Sequence, residues 1–234
     1  ESPHLVKGAP DYSLEGRKER WPRYEQLRRQ LTEMDTAGWS TAQRIDWTLV
    51  WAEMNGYWFN EKILQPWTRD PAYYKSVWLA RSDVPAHEGP TNHATVEIWT
   101  YEFPLGPDEK QKLLSEIQVI PELNEQAKIN LTGNARDLWI TGIRDIRGQS
   151  ENFKTILEWP DLKADADLVT AINEAIASTD SFAKWLEDQS ASKSGPSGIG
   201  KENYTWYLQN VHLVPLTWED EVAILKRELA RSWS

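Results

Sequence analysis

A chain of 234 residues with a formal net charge of −10 presents the wrong surface to nucleic acid or an anionic membrane, because both repel a net acid. It has no cysteine, which excludes disulfides and thiol chemistry, and no apolar run approaches the length of a transmembrane helix. Its size suits one large domain or part of something bigger.

Most of the chain reads as amphipathic helix. Arg17, Lys18, Arg20, Arg23, Arg28 and Arg29 alternate with acids on a first helix, the pattern of a solvated face rather than an anion site. Tyr24, Leu27, Leu31 and Met34 form the apolar side of that helix, which Gly38 ends. Ser40 caps the next helix, with Gln43 completing a capping box. That helix carries two apolar faces, Ile45–Leu49–Ala52 and Trp47–Trp51–Met54–Trp58, and is therefore expected at the centre of the bundle. Pro66, Pro71, Pro85 and Pro90 then forbid a long helix, and the stretch from Thr95 to Phe103 is the one strand candidate. Pro107 opens a helix that runs to about Gln118, and Pro121 begins another. Ala135, Trp139, Gly142 and Ile146 make a stripe that continues toward Phe153 and Leu157. Leu168, Ile172, Ala175, Phe182 and Leu186 mark a further long helix. Residues 190–200, rich in Ser, Gly and Lys, read as a linker, and Thr217 with Asp220 caps the last helix. The whole predicts a mainly α fold: a single helical region over 1–234, built as a multi-helix bundle with at most one short strand pair.

The run Gly195-Pro196-Ser197-Gly198-Ile199-Gly200-Lys201-Glu202 nearly spells a phosphate-binding loop. Such a loop needs Ser or Thr after the Lys to bind Mg²⁺, and here that place is taken by Glu202, which would repel a triphosphate. A strand should precede the loop, whereas Ala183 to Ser194 reads as a polar helix end. An ATP-dependent phosphotransferase is set aside on both counts.

The residues C-terminal to that run point elsewhere. Gly198 to Leu208 spells G-x-G-K-E-N-Y-x-W-Y-L, Leu213 to Glu219 spells L-x-P-x-T-W-E, and the last helix ends Glu228-Leu229-Ala230-Arg231. A second block runs Ile120-Pro121-Glu122-Leu123, Gln126-Ala127-Lys128, Asn130-Leu131, then Trp139 and Ile143-Arg144. A third, looser one joins Ser40 to Asp46 with Trp67 to Tyr73. Together these resemble the bacterial domain-of-unknown-function family 885, whose members look like zinc metallopeptidases. The resemblance implies that this chain is the N-terminal helical part of such a protein, partnered by a C-terminal catalytic half that carries the zinc. It also implies a peptide substrate and favours a bacterial envelope or secreted location over the cytoplasm. The family's chemistry lies in a later H-E-A-x-P-G-H-H motif and an E-G-W segment, neither of which occurs here.

The histidines agree with that division. A zinc hydrolase needs two imidazoles on one helical face, a carboxylate base and a third ligand. His87-Glu88 starts like such a motif, but the next histidine is His93, with Gly89 and Pro90 between them. His4 and His212 are distant in sequence. No metal ligand and no catalytic residue is expected in this chain. Its start at Glu1 without Met, and a stripe of Trp218, Val222, Leu225, Leu229 and Trp233 that runs to the last residue, also fit a piece of a larger protein. On that reading Leu229 and Trp233 are expected to be exposed.

Fourteen tryptophans raise a second class of function, a self-contained protein that binds peptide or carbohydrate on aromatic platforms without catalysis. Trp21, Trp47, Trp51, Trp58, Trp139, Trp185 and Trp218 lie on or beside helical stripes and read as core, leaving Trp67, Trp78, Trp99 and Trp206 freer. The candidate substrate-binding set is Lys201, Tyr204 and Tyr207, a cation and two phenol donors suited to a peptide carboxylate or carbonyl.

Overall fold

The computed structural model describes residues 5–6, 8–80 and 94–233. His4, the His87-Glu88 to His93 segment, Pro85, Pro90 and Ser234 lie outside the described residues. In chain order the elements are β1 (Leu5–Val6), β2 (Ala9–Pro10), α1 (Leu14–Thr32), α2 (Thr41–Phe59), α3 (Pro66–Arg69), β3 (Val77–Trp78) and β4 (Val96–Glu97). They continue with α4 (Pro107–Gln118), α5 (Ile120–Asn130), α6 (Arg136–Leu157), α7 (Pro160–Lys163), α8 (Ala166–Ser190), α9 (Lys201–Asn210) and α10 (Trp218–Ser232). The fold is mainly α, as the helical stripes predict. Strands among the described residues amount to two pairs of two residues each, β1 with β2 antiparallel and β3 with β4 parallel, Val77 opposite Val96, besides an isolated bridge between Ala135 and Gly195. The strand candidate is thus Val96–Glu97, after which Ile98–Thr100 tighten into a 3₁₀ turn.

The chain divides into two compact units, residues 1–17 with 66–197 and residues 18–65 with 198–234. In the first, α6 and α8 form the principal helix pair, with α4 and α5 packed on α8. Gly142 lets α6 close on the 3₁₀ turn Pro71–Tyr74, since a Cβ there would stand 2.7 Å from the Cβ of Pro71 and 2.9 Å from the amide of Ala72. Two apolar clusters fill this unit. One gathers Val77, Val96, Ile98, Leu113, Ile117, Phe153, Ile156 and Ile172. The other gathers Trp67, Tyr73, Tyr74, Leu123, Trp139, Ile146, Phe182 and Leu186.

Where one cluster gives way to the other, each long helix turns a polar residue inward. Gln149 of α6 accepts at Oε1 from the backbone N–H of Ser76 (2.6 Å) and of Val77 (3.1 Å), and its Nε2 donates to Thr179 Oγ1 of α8. Asn124 of α5 donates to Ser178 Oγ at 3.0 Å. Gln149, Thr179, Asn124 and Ser76 are all fully buried. A buried amide is tolerated only when it is hydrogen-bonded, and Gln149 in return ties the start of β3 to α6.

The second unit is thinner. Its buried apolar residues are Tyr24, Leu31, Ala52, Phe59 and Leu208. Between α1 and α2 the contacts are large side chains reaching across: Trp47 Nε1 donates to the carbonyl of Leu31 at 2.9 Å and Tyr24 Oη to that of Met54 at 3.0 Å. The helix caps form as the sequence predicts, Ser40 with Gln43 and Thr217 with Asp220. One expectation is corrected. α2 is not a central helix: Ile45, Leu49 and Val50 are 54, 53 and 50 % exposed. Its aromatic face is partly covered and its aliphatic face is covered only near its C-terminal end, where Gly56 lies against Val211 and Asn55 donates to the carbonyl of Asn210.

Candidate functional site

Lys201 opens α9, and the three-residue steps to Tyr204 and Tyr207 set where each side chain points. Three residues turn a helix by about 300° and six by about 600°, so Tyr204 stays near Lys201 while Tyr207 lies about 120° round the helix. The contacts agree. Lys201 Nζ stands 3.8 Å above the Trp218 ring, and Tyr204 Oη donates to Glu221 Oε2 at 2.5 Å, both on α10. The turn between the helices is closed by Trp218 N–H donating to Thr205 Oγ1. Tyr207 instead meets Phe59 of α2, ring centres 4.8 Å apart, and His212 edge-on at 4.9 Å. Lys201 and Tyr204 are thus brought together on the exposed side of an α9–α10 hairpin, and Tyr207 is not. The hydrogen bond to Glu221 raises the Tyr204 phenol above its ordinary range; burial, then the charge of Glu53, raises that of Tyr207.

The glycine-rich run before α9 has a structural role. α8, not a strand, precedes it. Arg136 N–H donates to the carbonyl of Gly195, Ser194 N–H to Asn134 Oδ1, and the N–H groups of Asp137 and Leu138 to Ser197 Oγ. Arg69 donates to the carbonyls of Pro196 and Ser197. Lys193 reaches the carbonyl of Gly133 at 2.8 Å and lies 3.9 Å over Trp139, where burial lowers its ammonium pKa. Gly195 is required by close approach, since a Cβ would fall 2.4 Å from the carbonyl oxygen of Asn134. The run therefore satisfies the otherwise unpaired first N–H groups of α6.

Two further places hold chemistry that the sequence does not single out. A cleft of about 270 Å³ between α6 and α8 is lined by Arg147, Glu151, Lys154, Asp180, Lys184 and Glu187. Each of its cations is held in an ion pair: Arg147 with Glu187, Lys154 with Glu151 at 2.8 Å, and Lys184 with Asp188 beside the cleft. Asp70 caps the turn Pro71–Tyr74 by accepting from Ala72 N–H at 2.9 Å. Burial pushes its carboxyl up to about 6, with the nearby charge of Asp145 acting in the same direction and that of Arg69 against it.

The tryptophans are mostly half-buried. Trp139 is fully buried and Trp21, Trp47, Trp51, Trp58, Trp185 and Trp218 are half-buried. Of the four left freer, Trp67 is buried, and Trp78, Trp99 and Trp206 are half-buried, Trp206 against Trp58 and Phe59. Trp233, by contrast, is 84 % exposed.

Among the described residues no three His, Asp or Glu side chains converge as a metal-holding group, and His212 packs on Tyr207. These residues do not fit a zinc site, so no catalytic step through zinc is derived from them. No helix among the described residues is long and apolar enough to cross a membrane. Comparison with family models, with curated proteins and with solved structures finds no match for this chain.

Proposed function

We propose that this chain is the helical scaffold of a zinc-dependent, peptidase-like protein and supplies one wall of its peptide-binding cleft. The metal and the catalytic side chains belong to a C-terminal half outside these residues, in a bacterial envelope or secreted setting. The resemblance to the domain-of-unknown-function family 885 motivates this reading. In its support, the K-E-N-Y-x-W-Y-L block coincides with α9, the T-W-E block with the cap of α10, and the I-P-x-L to N-L block with α5 and its end.

The observation that carries it is the exposed α9–α10 hairpin, where an ammonium, a phenol and a carboxylate stand together. Lys201 offers its charge to a peptide carboxylate and Glu221 its second oxygen to a peptide N–H, while the Tyr204 hydroxyl, whose proton is donated to Glu221, can accept from a further peptide N–H. Tyr207, half-buried against Phe59, supports the hairpin from behind. Every tryptophan except Trp233 is at least half-buried, which weighs against the alternative of an aromatic platform for sugars.

Titration of the chain with short free-acid peptides, their C-terminally amidated forms and oligosaccharides, followed by amide chemical shifts, tests the reading. Free-acid peptides should move resonances of α9 and the start of α10, and Lys201→Ala should weaken them about 3- to 10-fold. Peptides that leave α9 and α10 unmoved, or oligosaccharides that move them instead, would refute it.

A further inference from the structure

We propose that α10 is a homodimerisation helix, through which two copies of this chain pair in parallel. Large apolar residues recur along it at Trp218, Val222, Leu225, Leu229 and Trp233, four or three residues apart, so that they line one face of the helix. The N-terminal end of the seam is occupied within the chain, where Lys201 covers Trp218 and α9 packs beside it. Its C-terminal end is open: Leu225 is 65 % and Leu229 53 % exposed. A β-branched residue at one seam position followed by Leu at the next, here Val222 and Leu225, is the combination that favours two parallel strands.

The flanking charges select the occupant and its direction. Glu221 borders the seam on one side and Lys226 on the other. In a parallel pair in register, Glu221 of each copy faces Lys226 of the other, giving two opposite-charge contacts. An antiparallel pair would instead set Lys226 against Lys226 and Glu228 against Glu228. Lys226 makes no ion pair with another described residue, whereas Arg227 and Arg231 both reach Glu228. The Tyr204 hydroxyl holds Glu221 in place through one carboxylate oxygen. Two turns of seam form a contact smaller than standard-size interfaces, so a weak, concentration-dependent association is expected.

Sedimentation equilibrium of the whole chain over about 1–200 µM reads the result. A monomer–dimer equilibrium is expected. Leu229→Glu, a change at an exposed position that leaves the helical circular dichroism intact, should remove the dimer. Lys226→Glu should weaken it about tenfold, and the double reversal Glu221→Lys/Lys226→Glu should restore it. A chain that stays monomeric throughout overturns the proposal and assigns the face to a different occupant. Association that survives Leu229→Glu, or that ignores the single charge reversal, also overturns it by placing the contact elsewhere.

Discussion

The two units use the same kind of amphipathic helix to different ends. In the first, α6 and α8 each bury a complete stripe, from Trp139 to Ile156 and from Leu168 to Leu186, because α4, α5 and the turn Pro71–Tyr74 surround them. In the second, α2 and α10 also carry apolar stripes, yet Ile45, Leu49, Leu225 and Leu229 stay in solvent. An apolar stripe states that a helix has something to bury; the number of neighbours decides whether it does. The first unit is built for stability, and the second presents surface.

That contrast can be broken most sharply by cavity formation. Phe153→Ala, at a fully buried site where α6 meets the first core cluster, should cost about 3–5 kcal/mol, read from urea midpoints. Next comes the polar layer. Gln149→Leu keeps the volume but strips the N–H groups of Ser76 and Val77 of their acceptor, for a loss of about 3 kcal/mol.

Asp70 gives a pH-dependent effect of up to about 3 kcal/mol. Its carboxyl sits at about 6 in the folded chain against an ordinary 3.8, so the neutral form is the one the fold favours. Its contribution is fully present below pH 3.8 and is lost as the pH rises through 6. Asp70→Asn keeps an oxygen for Ala72 N–H and removes the titration. The variant should therefore gain on the parent between pH 4 and pH 8, as measured by denaturant midpoints at both. The smallest effect belongs to the second unit: Leu49→Ala, at a 53 % exposed position, should change stability by less than about 0.5 kcal/mol.

Much of the first unit is legible in the sequence because its stripes are long. Trp139, Ile146 and Phe153, and Leu168, Ile172, Phe182 and Leu186, all fall inside. The caps at Ser40 and Thr217 are legible because capping is local chemistry. Periodicity misplaces the centre of the bundle because it carries no information on partners: α2 has two apolar faces and lacks enough helices to cover them. The buried polar layer leaves a readable trace, since Gln149 and Thr179 interrupt their stripes at core positions, but only the fold shows that they meet. Asp70 caps the turn at Pro71 by local chemistry, but its burial depends on tertiary packing and is not legible in the sequence. At the candidate site, the pairing of Lys201 with Tyr204 comes from a spacing of three. The same arithmetic sends Tyr207 to another face, where it meets Phe59.

Amide hydrogen exchange with and without a saturating free-acid peptide tests the central claim, that stability resides in the first unit and recognition in the second. Exchange in α6 and α8 should be slowest, limited by global unfolding, with α2 and α10 exchanging faster by orders of magnitude. Added peptide should slow exchange in α9 and the first turn of α10 alone. Equal protection of α2 and α6, or a peptide footprint on α6 and α8 with α9 unchanged, would contradict the account.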